Sequence, residues 1–329
     1  MAVTVAHPRR TWNPSARPIA AASGLAGESR LIPPAADLQP DRRGLASPDL
    51  PARRFVGRRR YAGANMPELP EVESVRRQLD PELRGRRVLR VWTDPQRRFH
   101  APERLADRLV RCVGRRGKFL ICPLDRGLEL VLHLGMTGSL HFGPADPYSR
   151  ARLTLDDGRE LVFRDPRRFG GLAVVEAGAY DGVLPSLARL GPEPLSDDFD
   201  PASFALALAA TRSPVKPFLL SQRPVAGVGN IYADEALWLA RIHPASRRVG
   251  RTRAYALHGT IREVLAAAVD REGTTFRDYR MVNGESGRYA GFLVAYGQAG
   301  RPCPRCGTPM RRIVLGGRGT TFCPTCQHH

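Results

Sequence analysis

From Glu71 onward the hydrophobic positions keep helical spacing. Val72, Val75 and Leu79 stand at i, i+3 and i+7, which predicts a helix that Pro81 closes. Shorter apolar segments follow: Val88–Trp92, Phe119–Leu124, Leu128–Leu134, Ala151–Leu155, Glu160–Phe163 and Leu172–Val175. Turn residues such as Asp125-Arg126-Gly127 and Asp156-Asp157-Gly158 punctuate them, so an antiparallel sandwich or barrel is expected. After about Pro185 the spacing turns helical again, near 201–211, 216–222, 230–241 and 252–272. The predicted architecture is α+β in several domains. A β-sandwich domain with a leading helix covers 66–185, a helical domain 186–295 and a cysteine module 296–329.

Residues 1–65 break this pattern. They hold eight prolines and no sustained apolar period, so they are expected to be disordered or untranslated. Their 11 arginines against 4 acids also fit an organellar transit peptide, the alternative reading of such a leader. The whole 329-residue chain carries a net charge of +19, and an excess of that size points to a polyanionic partner, most often nucleic acid. Only two lysines occur, Lys118 and Lys216, among 51 basic residues. Where arginine has replaced nearly every lysine, the two that survive mark positions where a compact ammonium does what a planar guanidinium cannot. No run approaches the roughly 18 apolar residues of a membrane span, and no secretory signal is present, so a cytoplasmic protein is expected.

Cys303-x2-Cys306, sixteen residues, then Cys323-x2-Cys326 has the spacing of a four-cysteine zinc ribbon. Such a site is structural, because all four positions are filled by protein; two disulfides are the alternative, unfavoured in a reducing compartment. Between the pairs, Arg311–Leu315 and Thr320–Phe322 read as two strands joined by Gly316-Gly317-Arg318-Gly319, with Arg318 at the tip. There it is free to grip phosphates.

Two glycine turns and one loop carry further candidates. Val225-Ala226-Gly227-Val228-Gly229-Asn230 joins two helical segments and can aim amides at an anion, with Asn230 as cap or phosphate ligand. An ordinary helix–turn–helix corner is the other reading. His133-Leu134-Gly135-Met136-Thr137-Gly138 puts a long apolar side chain on a turn, and Asp165-Pro166-Arg167-Arg168-Phe169-Gly170 places Arg167 and Phe169 on a loop. Core packing accounts for Met136 and Phe169 equally well. The functional alternative is a wedge that refills the stack when a base is extruded.

Met66-Pro67-Glu68-Leu69-Pro70-Glu71 reads as an internal translation start. Inside a chain, the Pro67 nitrogen is a resonance-bound amide and attacks nothing. At a mature N-terminus it is a secondary amine with a pKa near the α-amino value of about 8, able to form an iminium with a sugar carbon.

Together these motifs closely resemble the formamidopyrimidine-DNA glycosylases over essentially all of 66–329, and Gly191-Pro192-Glu193-Pro194-Leu195 belongs to the same set. The resemblance implies a helix–two-turn–helix element around Asn230 and one structural Zn2+. It implies Pro67 as nucleophile, Glu68 as acid, and Lys118 and Arg318 as catalytic, phosphate-contacting cations. Glu71, His133, Met136, Arg167, Phe169, Lys216 and Asn230 become lesion or DNA contacts, as does Ser286 in a loop over the flipped purine. The implied activity is a bifunctional glycosylase and abasic-site lyase for oxidised purines in damaged duplex DNA, acting as a monomer beside the bacterial nucleoid. An endonuclease VIII-like enzyme for oxidised pyrimidines and a non-catalytic zinc-dependent DNA-binding protein are the rival readings. On this resemblance residues 1–65 are foreign to the enzyme, with the start at Met66.

Overall fold

Glu68 takes an extended conformation at the head of α1 (Leu69–Leu83), and Pro70 in the first turn gives up an amide that would have lacked a helical partner anyway. The computed structural model describes residues 66–95, 98–275 and 281–329. The expected foreign extension, 1–65, lies outside the described residues. Leu69, Val72, Val75, Leu79 and Leu83 form the buried stripe of α1. The helix therefore runs past Pro81, contrary to the sequence expectation. Pro81 sits on the exposed side of the last turn, where the lost bond faces water, and burial of Leu79 and Leu83 outweighs it.

The following strands are β1 (Arg87–Thr93), β2 (Phe99–His100), β3 (Arg108–Leu109), β4 (Gly114–Arg116), β5 (Phe119–Pro123), β6 (Leu128–His133), β7 (Ser139–Phe142), β8 (Ser149–Leu155), β9 (Glu160–Arg164) and β10 (Gly171–Glu176). They form two five-stranded sheets, ordered β3-β1-β8-β9-β7 and β2-β10-β6-β5-β4. All neighbours are antiparallel except the short β2–β10 pair. Apolar side chains of both sheets meet in one core that also takes in Val72, Val75, Leu79 and Leu83 of α1. The six expected strands are all present; β2, β3, β4 and β7, two to four residues each, are too short to show a period.

Five helices follow: α2 (Pro185–Ala188), α3 (Pro201–Ala210), α4 (Val215–Leu220), α5 (Asn230–Leu239) and α6 (Arg251–Asp270). Their core is separate, built around Tyr232, Leu237, Leu257, Ile261 and Leu265. The C-terminal hairpin pairs β11 (Arg311–Leu315) with β12 (Arg318–Phe322). Gly316 and Gly317 (φ 53° and 72°) alone make the turn, a two-residue reversal that needs positive φ at both positions. Arg318 thus opens the second strand, one step beyond the tip expected from sequence. Arg305 lies flat over the Trp238 ring at 3.8 Å and donates to the Trp238 and Leu239 carbonyls, fastening the module to α5.

Candidate active site

Glu68 is the centre of the site. Its carboxylate reaches across to the N-terminus of α5 and accepts hydrogen bonds from the amides of Gly229 (2.8 Å), Ile231 (2.8 Å) and Tyr232 (3.3 Å). It takes the place of the cap that Gly229, having no side chain, cannot supply. A Cβ on Gly229 would stand 2.3 Å from the Glu68 carboxyl carbon, so only glycine permits this seat. Burial pushes the Glu68 carboxyl above its usual range, opposed by Lys118 and by the three amides.

Glu71 stands one turn further along α1, equally buried. It accepts from the Glu68 amide (2.8 Å), the Tyr232 hydroxyl (2.5 Å) and the Thr274 amide (2.6 Å), joining α1, α5 and the strand-like segment that leads toward 281–289. Burial, then the neighbouring Glu68 charge, raises its pKa to about 7.

Lys118 follows Gly117 in the β4–β5 turn. That turn is held from the linker before α3: Glu193 accepts from the Gly117 amide (2.6 Å), Arg115 (2.7 Å) and Arg116 (3.0 Å). Arg115 also reaches Glu73 of α1 at 3.0 Å. The Lys118 ammonium forms no hydrogen bond among the described residues, and loss of water lowers its pKa, with Glu68 and Glu71 pulling the other way. Such a cation is available to a ligand. His133 lies nearby, its ring tilted against that of Phe119 (4.7 Å between centroids); its Nδ1 accepts from the Gly135 amide at 3.2 Å. Burial, then Lys118 and Arg98, lowers its pKa to about 4, so the ring is neutral and its proton sits on Nε2 as a donor.

Met66, Glu68, Lys118, His133, Asn230 and Arg318 all line one cavity of about 940 Å3. Pro67 is buried between Met66 and Glu68, its nitrogen an amide in the full chain. The Asn230 Oδ1 is buried without a hydrogen-bond partner among the described residues, and Arg318 is exposed. The sequence had grouped these residues only through resemblance; the fold brings them to one hollow.

The Met136 turn and the Arg167–Phe169 loop are packed on each other, and none of these three side chains lines the cavity. Gly135 (φ +64°) lies so near Gly170 that a Cβ would meet its nitrogen at 2.5 Å. Asp165 ties both turns, accepting from the Thr137 hydroxyl (2.5 Å) and the Gly170 amide (2.7 Å). Met136 is half-buried, while Arg167 and Phe169 are exposed, with the guanidinium 4.8 Å over the ring. The sequence assigned no role to Asp165, Glu193 or Tyr232, whose partners lie 28 to 161 residues away.

Two further expected contacts, Lys216 and Ser286, do not line this cavity. Lys216 is closed off from solvent and pairs with Asp234 at 2.6 Å. Ser286 is exposed on a small turn whose base is tied by the Gly287 amide to the Thr275 hydroxyl (2.8 Å); residues 276–280 lie outside the described residues.

The sulfurs of Cys303, Cys306, Cys323 and Cys326 all lie within 4.8 Å of one another. Cys303–Cys326 at 4.0 Å and Cys306–Cys323 at 3.5 Å are far beyond a disulfide bond and match the sulfur separations of a tetrahedral thiolate site, roughly 3.8 Å for bonds of about 2.3 Å. These cysteines form one structural zinc site, as the spacing predicts.

A buried acid capping a helix N-terminus, a lysine without a hydrogen-bond partner and the first residue of a hairpin strand in the four-cysteine module share one cavity. Residues 66–172 match the formamidopyrimidine-DNA glycosylase N-terminal domain, 190–280 the H2TH domain of the same enzymes and 300–328 a zinc finger found in FPG and IleRS. The formamidopyrimidine-DNA glycosylase of Deinococcus radiodurans is 50% identical over 275 residues, covering 80% of this chain and 97% of that protein. The crystal structure of MutM (FPG) from Thermus thermophilus superposes with a TM-score of 0.76 at 47% identity, covering 79% of this chain and 98% of that one. The wild-type Lactococcus lactis Fpg (MutM) bound to N7-benzyl-Fapy-dG DNA gives 0.73 at 34% identity, covering 80% and 100%. The chain belongs to the formamidopyrimidine-DNA glycosylase family.

Proposed function

We propose that this chain is a bifunctional DNA glycosylase and abasic-site lyase that excises oxidised purines, 8-oxoguanine and formamidopyrimidines, from duplex DNA. The observation that carries this reading is the seat of Glu68. It adjoins Pro67, whose nitrogen is a secondary amine once the Met66–Pro67 bond is cleaved, and it shares with Lys118 the lining of a cavity wide enough for a nucleotide. The names of the relatives and the Fapy-bearing DNA in the Lactococcus lactis complex support the purine class.

The active form begins at Pro67. Its nitrogen lone pair forms a bond to C1′ while the C1′–base bond breaks and the base leaves with that electron pair; the Glu68 carboxyl, its pKa raised by burial, protonates the departing base, and the proton then shed by the proline nitrogen passes to the ring oxygen. The sugar ring opens, giving an iminium between Pro67 and C1′. That cation acidifies the C2′ proton, so successive β- and δ-eliminations expel the two phosphates. Lys118, His133, Asn230 and Arg318 hold the flanking phosphates, and Met136, Arg167 and Phe169 fill the gap left by the extruded nucleotide. No step runs through the zinc ion, whose role is to fix the hairpin. The protein acts as a monomer in the cytoplasm. Among the described residues, no helix is long and apolar enough to cross a membrane.

The test is incubation of protein beginning at Pro67 with γ-irradiated DNA, reading the released bases by mass spectrometry and the strand ends by gel. Release of 8-oxoguanine and formamidopyrimidines with phosphate on both ends is expected. Release of oxidised pyrimidines alone would replace the purine assignment with an endonuclease VIII-like one.

A further inference from the structure

Lys216 is one of two lysines in the chain, yet it is fully buried and does not line the cavity. Its surroundings show another use. Its ammonium donates to the Asp234 carboxylate at 2.6 Å, to the Thr320 hydroxyl at 3.0 Å and to the Gly319 carbonyl at 3.4 Å. Asp234 belongs to α5 and takes, on its second oxygen, the Thr321 amide at 2.9 Å. The Thr320 hydroxyl passes the contact on, donating to the main-chain carbonyl of Arg318 at 3.1 Å. An unbroken hydrogen-bonded chain thus runs from α5, whose first residue is Asn230, to the backbone of Arg318 itself.

Burying an ion pair is costly, and apolar residues of similar volume often replace such pairs without loss. What the pair adds is direction. A guanidinium in place of Lys216 would need more room and more acceptors than Asp234, Thr320 and Gly319 supply. Burial raises the Asp234 pKa to about 6 and lowers that of Lys216, and the contact between the two groups opposes both shifts.

We propose that Lys216 and Asp234 are positioning residues that register the Arg318 hairpin against the N-terminus of α5, so that Asn230 and Arg318 close on the DNA backbone as one clamp. Lys216 acts through Arg318 and touches neither lesion nor phosphate. This rests on the reading of the chain as a DNA-binding glycosylase.

Equilibrium binding of the full 329-residue chain to an undamaged duplex and to the same duplex with one 8-oxoguanine tests it, with zinc content and melting temperature checked for every variant. Lys216→Met and Thr320→Val are each expected to weaken both duplexes by the same factor, about tenfold, and to flatten the salt dependence by about one phosphate's worth. In an Arg318→Ala background neither should weaken binding further. Thr320→Val leaves the ion pair paired, so it decides the matter if Lys216→Met fails to fold. Losses that add to that of Arg318→Ala, a loss confined to the damaged duplex, or unchanged binding by Thr320→Val would each overturn the proposal. Borohydride trapping by protein beginning at Pro67 reports separately on the enzyme reading, whatever the binding result.

Discussion

The Glu68 carboxylate accepts a hydrogen bond from the Gly229 amide at 2.8 Å, although 161 residues separate them. This contact joins the sandwich to the helical region at the site. It also orients the acid, because the α5 amides fix both oxygens.

Replacing Gly229 with alanine forces the 2.3 Å approach of a Cβ to the Glu68 carboxyl carbon to be relieved by moving one of them. Gly229→Ala is expected to lower base excision by about a hundredfold while zinc content and the melting temperature change little. Single-turnover excision with an 8-oxoguanine duplex measures it; an unchanged rate would mean the seat of Glu68 is irrelevant to the chemistry.

Glu71 predicts a pH signature. Its folded pKa of about 7 lies above the ordinary carboxyl value of 4.5, so the folded state binds the extra proton between those limits. The contribution is therefore fully present below about pH 4.5 and lost as pH rises through about 7. Glu71→Gln removes that titration. Relative to the variant, the parent should lose on the order of 3 kcal/mol between about pH 4.5 and pH 8, read as the difference of their denaturation curves. A pH-independent difference would place the ionisation elsewhere.

Arg318 and Met136 should separate binding from turnover. Arg318→Ala is expected to weaken all duplexes alike by about tenfold with a shallower salt slope. Met136→Ala leaves affinity near the parent value and lowers excision, because the half-buried side chain acts only once a base leaves the stack. Filter binding and excision rates on the same DNA distinguish the two, and an exchanged pattern would contradict both roles.

Chelation of zinc frees the four thiolates and with them the β11–β12 hairpin. Duplex affinity should fall at least about tenfold while the sandwich keeps its far-ultraviolet signature, and readdition of zinc should restore binding. Binding that survives a verified loss of metal would remove the hairpin from the DNA-facing surface.

Local motifs in the sequence were legible, because their chemistry is set by neighbours a few positions apart. The cysteine spacing, the Met66–Glu71 run and the helical periods of α3, α5 and α6 are of this kind. Contacts that depend on folding were not. The resemblance alone put Lys216 near the lesion; its ion pair with Asp234 and its bond to the Thr320 hydroxyl, 18 and 104 residues away, left no local signal. Glu193 was visible only as part of a motif; its grip on the Lys118 turn crosses 76 residues. Pro81 was read as a helix end, since local propensity gave no hint that Leu83 would be buried beyond it.

The central claim is that the Pro67 nitrogen, and no other group, bonds to the sugar. Borohydride reduction during reaction with an 8-oxoguanine duplex, followed by peptide mapping of the cross-linked protein, tests it most directly. Protein beginning at Pro67 should yield one adduct, on the terminal proline, and the chain with its Met66–Pro67 bond intact should yield none. An adduct on Lys118, or cross-linking by the chain with that bond intact, would contradict the account.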